Sequence, residues 1–89
     1  MKTGEGDIFL VDFLAYAEKV DICGSWDNWS TPIPMQKFTS CYFAVELELP
    51  EGIYNYKFIV DSSKWTCDEN RPVTIDEDRN NILNISVYC

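Results

Sequence analysis

No histidine occurs among the 89 residues. That absence removes Ser–His and Cys–His nucleophile pairs. Cys23, Cys41, Cys67 and Cys89 include no C-x-x-C spacing, so a zinc site is not expected either. Glycine is scarce: the chain has four, none in a G-x-G-x-x-G or G-x-x-x-x-G-K setting, which excludes a phosphate-cradling loop. Basic residues are outnumbered, 7 Lys and Arg against 15 Asp and Glu, for a net charge of −8. That sign disfavours nucleic acid, anionic membranes and phosphorylated ligands, all of which reward clustered Lys and Arg. A neutral polysaccharide is indifferent to it. No run of about 18 apolar residues is available to span a bilayer. The N-terminal Met1-Lys2-Thr3-Gly4-Glu5-Gly6-Asp7 does not lead into a signal-peptide core, because Asp12 and Glu18 interrupt the apolar stretch. The cysteines are therefore expected as free thiols in a reducing, cytoplasmic setting.

What is present suits a small globular domain. Hydrophobic residues make up 46% of the chain and aromatics 15%, ample for a core. A chain of this length buries only about 60–65% of its unfolded surface, so that core must be compact. Phe9, Val11, Phe13, Ala15 and Ala17 alternate as in a half-buried strand. Val20-Asp21-Ile22-Cys23-Gly24 reads as a second strand. Phe43, Val45, Leu47 and Leu49 form one face of a third, with Glu46 and Glu48 opposite. Pro50-Glu51-Gly52 turns the chain into a strand over 53–60, where Tyr54, Tyr56, Phe58 and Val60 share a face. Residues 71–75 suit a short edge strand opened by Pro72, and Leu83, Ile85 and Val87 mark the last strand. About six short strands with close turns imply an all-β, immunoglobulin-like antiparallel β-sandwich. The acidic run Asp76-Glu77-Asp78 reads as a solvated loop.

Two tryptophans fit this plan poorly. Trp29 lies between Asp27-Asn28 and Ser30-Thr31-Pro32-Ile33-Pro34, a stretch too rich in turn formers for a strand interior. Trp65 follows the turn-like run Asp61-Ser62-Ser63-Lys64. Either could plug the end of a core, since large aromatics are highly buried on average. Two at loop positions instead suggest flat apolar faces offered to a flat ligand. Carboxylates are plentiful, but a glycosidase needs a larger cleft than a chain this short provides. Binding without catalysis is the expectation, with no catalytic residue, metal or cofactor.

Five motifs then occur in order: Gly24-Ser25-Trp26-Asp27-Asn28-Trp29-Ser30, Leu49-Pro50-Glu51-Gly52, Tyr56-Lys57-Phe58-Ile59-Val60-Asp61, Trp65-Thr66 and Asn80-Asn81-Ile82. Together they resemble the glycogen-binding domain of the AMP-activated protein kinase β subunit, in carbohydrate-binding module family forty-eight. The resemblance covers about residues 9–88 and implies one carbohydrate-binding domain over 1–89. It implies an α-1,4-linked glucan ligand (glycogen, starch or malto-oligosaccharides), with Trp29 and Trp65 stacking on glucose faces. Lys57 would hydrogen-bond sugar hydroxyls, and the strand alternation points it away from Tyr56 and Phe58. Asn80 matches a ligand-binding asparagine, whose amide donates and accepts at once, and Asn81 is left to turn chemistry. Trp26 stands where the family has an inward-packing phenylalanine and is expected in the core. Kinase subunits or an attached catalytic domain are the protein partners implied, and a micromolar to millimolar dissociation constant is the scale expected.

The chain also departs from that pattern. The family's glucan-packing leucine has no counterpart in Asp76-Glu77-Asp78-Arg79, and Phe38 occupies the place of a regulatory serine after Lys37. Both departures leave open a protein-interaction domain that kept the fold and lost the glucan. Asn28-Trp29-Ser30 and Asn84-Ile85-Ser86 match the N-glycosylation acceptor pattern. A glycan on Asn28 would crowd the stacking face, and in the cytoplasm both sites are expected to be unmodified.

Overall fold

The structure is a computed structural model that describes residues 7–75 and 79–85. Val87, Cys89 and the Asp76-Glu77-Asp78 run lie outside the described residues. The expected all-β, immunoglobulin-like sandwich forms, from two antiparallel sheets. One has the order β1-β5-β4, with β1 Asp7–Leu14, β4 Gln36–Lys37 and β5 Tyr42–Leu49. The other has the order β3-β2-β6-β7, with β2 Val20–Gly24, β3 Ile33–Pro34, β6 Gly52–Val60 and β7 Lys64–Thr66. In that second sheet β8, Asn81–Ile85, also pairs with β6. Tyr56 faces Gly24 on one side and Asn81 on the other, so β8 and β7 follow one another along the same edge of β6.

Alternation builds the core as expected. Val11 and Phe13 from β1 and Phe43, Leu47 and Leu49 from β5 meet Val20, Ile22, Tyr56, Phe58 and Ile85 from the other sheet. Phe13 stacks on Phe58 with ring centroids 4.1 Å apart, an offset contact that joins the two layers. Ile59 and Cys23 point to the opposite face by parity, yet both are buried. The middle of the β2–β6 pair is thus covered on both sides, which the run Phe58-Ile59-Val60 allows.

Three expectations need correction. The first strand ends at Leu14 rather than Ala17: Ala15 N–H still reaches the Cys41 carbonyl at 2.9 Å, but Cys41 N–H turns to Thr39 Oγ1 at 3.2 Å instead of returning the bond. Residues 71–75 form no strand; only Val73 bridges to Asn81. Pro72 lacks an N–H to donate, and its carbonyl is taken by Ile82 N–H at 3.0 Å while the Asn81 amide also donates to it. Trp65 is not a loop residue but the centre of β7, facing Ile59. Asp61 and Ser62, with φ of 52° and 65°, close a tight hairpin in which Ser63 N–H reaches the Val60 carbonyl at 3.2 Å. Two successive left-handed residues match the twist of the flanking strands, so the chain turns back sooner than the polar run suggests.

Candidate functional site

The outer face of the β2–β6–β7 sheet carries the candidate residues. Cross-strand partners share a face and neighbours alternate. Trp65 faces Ile59, and Lys57 lies two residues along on that same face. Strand spacing and rise put the Trp65 and Lys57 Cα atoms about 8 Å apart. Because Tyr56 pairs with Asn81, the register continued by one residue brings Asn80 to the level of Lys57. Lys57 therefore occupies the junction where β7 ends and β8 begins, flanked by Trp65 and Asn80. Trp65 is 50% exposed, Lys57 and Asn80 are half-buried, and the floor beside them is closed by Cys23 and Ile59.

Trp29 lies in the turn that follows β2. After β2, a 3-10 turn over Ser25–Asp27 reverses the chain, and Asn28 ends it in the left-handed region with φ 63° and ψ 33°. Trp29 follows with φ 63° as well. A bulky residue there is strained by roughly 1–2 kcal/mol, and such strain persists only where surrounding contacts enforce it. Here Trp29 N–H donates to the Gly24 carbonyl at 2.9 Å. Ser30 N–H is held by both the carbonyl and the carboxylate of Asp27, at 3.3 and 3.2 Å. The turn thus pins Trp29 against the end of β2, where Cys23 faces Lys57. Its side chain is half-buried.

The two adjacent asparagines divide. Asn81 is 0% exposed and its amide is fully used. Its Oδ1 accepts from Asp68 N–H at 2.6 Å, while its Nδ2 donates to the carbonyls of Asp68 and Pro72 at 2.9 and 3.2 Å. Asn81 is the structural member of the pair, as expected. Thr74 occupies the main chain of Asn80. Asn80 N–H donates to Thr74 Oγ1 at 3.0 Å and its carbonyl accepts from Thr74 N–H at 2.8 Å.

Several supporting residues were invisible to pattern reading. Asp61 Oδ1 accepts the N–H groups of Glu18 and Lys19 at 2.8 and 3.1 Å, tying the β6–β7 hairpin to the β1–β2 turn. Ser25 Oγ accepts from Asn55 N–H at 3.0 Å. Trp26 is partly buried against the core, as expected, with its ring 6.4 and 6.3 Å from those of Tyr54 and Tyr56. Its Nε1 is buried without a hydrogen-bond partner among the described residues. Arg71 makes an ion pair with Asp12 and another with Asp68 at 3.5 Å. Burial alone would lower the Arg71 pKa, but Tyr56 and Asp12 outweigh it and hold the guanidinium above its usual value. Burial also raises the Tyr56 phenol, an effect Arg71 partly offsets. The Cys23 thiol is pushed up first by burial and then by the Asp27 charge, which keeps it unreactive.

The departures noted in the sequence have a structural side. Phe38 is 56% exposed with its ring 5.8 Å from Tyr42, and Thr39 Oγ1 accepts from Cys41 N–H at 3.2 Å. In the loop that leads to Asn80, Ile75 is fully exposed; an apolar residue sits there after all, just ahead of the acidic run. No rule of periodicity flags a lone isoleucine in a polar loop.

The family described as the glycogen recognition site of AMP-activated protein kinase matches residues 9–88. Mouse (Mus musculus) 5'-AMP-activated protein kinase subunit beta-2 is 43% identical over 60 residues, 67% of this chain and 21% of that protein. Protein PTST homolog 2, chloroplastic, from Arabidopsis thaliana is 44% identical over 71 residues, 79% of this chain and 13% of the relative. The SNF1-related protein kinase regulatory subunit beta-2 of the same plant is 36% identical over 73 residues, 80% of this chain and 25% of the relative. The chain thus spans a quarter or less of the length of these relatives. With four-fifths and more of the sequence inside the matched span, the chain belongs to the glycogen-recognition family of AMP-activated protein kinase.

Proposed function

We propose that residues 1–89 are one non-catalytic domain that binds α-1,4-linked glucan. Trp29 and Trp65 stack on successive glucose faces, and Lys57 and Asn80 hydrogen-bond the hydroxyls between them. The observation that carries this reading is the half-exposed Trp65 on the same face as Lys57 and Asn80, over an already buried floor. An exposed indole beside a lysine and an amide offers an apolar plane with donors at its rim, which is what a sugar ring requires. Apolar burial contributes about 1–2 kcal/mol per half-covered ring at 25 cal/mol/Å². Ordering costs then leave a dissociation constant in the micromolar to millimolar range. Such a weak module works by tethering something else, a kinase subunit or an attached catalytic domain, to a polymer with many sites.

Native electrophoresis in a glycogen-containing gel tests this directly: retarded migration is expected, and unchanged migration would refute it. Lys57→Ala is expected to weaken maltoheptaose binding by about 0.5–1.5 kcal/mol, the net scale of one hydrogen bond, without altering the melt. Isothermal titration at matched protein concentration reads the difference.

A second reading, a protein-interaction domain of the same fold, is favoured by the far side of the sandwich. Ile8, Leu10 and Leu14 are 64–70% exposed on the outer face of β1. Beside them Leu10, Pro34, Phe38 and Ala44 line a groove of about 440 Å³. Contiguous exposed apolar residues mark contact surfaces. This face is separate from the glucan face, so a protein partner and a glucan are compatible on one domain. The reading also includes a cytoplasmic setting, in keeping with free thiols at Cys23, Cys41 and Cys67. Mass spectrometry of native material is expected to find Asn28 unmodified and these thiols reduced; a glycan there would contradict both location and site.

A further inference from the structure

Between Trp65 and Asn80, residues 68–72 and Arg79 are held by contacts among themselves, to β8 and to β1. Asp68 begins a turn in which its carboxylate accepts Asn70 N–H at 3.0 Å and its carbonyl accepts Arg71 N–H at 3.2 Å. That turn is gripped by the buried Asn81 amide, through Asp68 N–H and the Asp68 and Pro72 carbonyls. Glu69 adds an ion pair to Arg79, the residue before Asn80, at 2.5 Å. The turn is tied to the rest of the sandwich through Arg71. Its guanidinium pairs with Asp68 within the turn and with Asp12 on β1 of the opposite sheet. Tyr42 on β5 donates its hydroxyl to Asp12 Oδ2 at 3.1 Å and so holds that carboxylate in place.

We propose that Arg71 is a positioning residue for glucan binding: by tying the turn that Asn81 grips to Asp12, it sets Asn80 relative to Lys57 and Trp65. This rests on the glucan reading above. The turn and β1 of the opposite sheet converge on one guanidinium, whose planar fork can hold two carboxylates at fixed angles. Arg71 is half-buried, and the Asp12 and Asp68 side chains are 35% and 17% exposed, so these contacts are less screened than surface pairs. Without the tie, the turn is held to β8 alone, and its bonds to Asn80, Asn81 and Ile82 open more often. Asn80 then samples positions from which it cannot reach the hydroxyls that Lys57 and Trp65 present, and a ligand must restore the order at its own cost.

The test uses Arg71→Met, which keeps most of the stem and removes the fork, and Asp12→Asn, which removes only the outer charge. Maltoheptaose affinity by titration calorimetry is read beside amide hydrogen exchange, well below the melting temperature. There a purely structural contact leaves affinity unchanged. Arg71→Met is expected to raise the dissociation constant about 5- to 20-fold, the loss that follows when a preorganised site must be reordered. Exchange at the Asp68, Thr74 and Ile82 amides should accelerate about tenfold or more while the β1–β5 amides stay protected, the mark of local opening. Affinity within twofold of wild type, despite faster local exchange, overturns the proposal and leaves the glucan reading intact. Should Arg71→Met loosen the whole sandwich, Asp12→Asn decides by the same two readings. Absence of maltoheptaose binding by the unmodified protein sinks the glucan reading, and the positioning role with it.

Discussion

Trp65→Ala is expected to bring maltoheptaose and glycogen binding below detection while the melting temperature moves by only a few degrees. Trp65 is central in an edge strand, 50% exposed, and its other half lies beside Ile59 rather than inside the core. Removing it takes away the plane on which a glucose ring rests, about 1–2 kcal/mol by area. Each 1.4 kcal/mol is tenfold in affinity, and a millimolar ligand has no tenfold to lose. Trp29 offers a sharper version of the same experiment. Its main chain sits at φ 63°, which glycine adopts without strain. Trp29→Gly should therefore abolish binding and hold stability to within about 1 kcal/mol, because relief of the left-handed strain offsets the lost burial. Paired melts and pull-downs on glycogen-loaded resin decide it. Unfolding of either variant would mean that the indoles are core plugs, and that the ligand face lies elsewhere.

Trp26→Ala should do the reverse. This ring lies over Gly24 and against Tyr54 and Tyr56, where its removal leaves a cavity at the edge of the core. The expected cost is about 3 kcal/mol, or about 12–24 °C in melting temperature for a domain of this size. Trp26→Phe is expected to cost under about 1.5 kcal/mol, since it keeps a ring in place. It also deletes the buried Nε1 donor that has no partner among the described residues. Gly24→Ala probes the contact from below. Gly24 has ordinary extended dihedrals, φ −155° and ψ 177°, so its need for glycine is a matter of space. An added Cβ would come within van der Waals distance of three Trp26 ring carbons, and overpacking of this kind costs about 1–3 kcal/mol. Thermal denaturation of the three variants measures all of this. Bound maltoheptaose should still stabilise Trp26→Phe and Gly24→Ala as it does the parent, since neither change touches the proposed face.

Much of this protein was legible from residue order alone. The two-residue alternation of β1 and β5, and of the inner face of β6, follows from backbone geometry and needs no partner strand to be read. The parity that turns Lys57 away from Tyr56 and Phe58 is of the same kind. So are the exclusion of histidine chemistry and the acidic balance, because those are counts. The order of five motifs named the family, since the motifs sample separate parts of the fold.

Tertiary structure decided the rest. Whether Trp65 stands in a loop or a strand depends on which hairpin Asp61 and Ser62 form, and left-handed dihedrals at those positions carry no strong sequence mark. The very short strands Ile33–Pro34 and Gln36–Lys37 exist only because β2 and β5 offer open edges to pair with. The family resemblance gave the adjacent asparagines opposite roles, but only the fold brings the Asn81 amide to Asp68 and Pro72. Arg71 was missed altogether, because Asp12 meets the turn that holds Arg71 and Asp68 only when the two sheets close. Local order determines which face a side chain can take; long-range pairing determines which side chains meet there, because contacts between distant residues have no period along the chain.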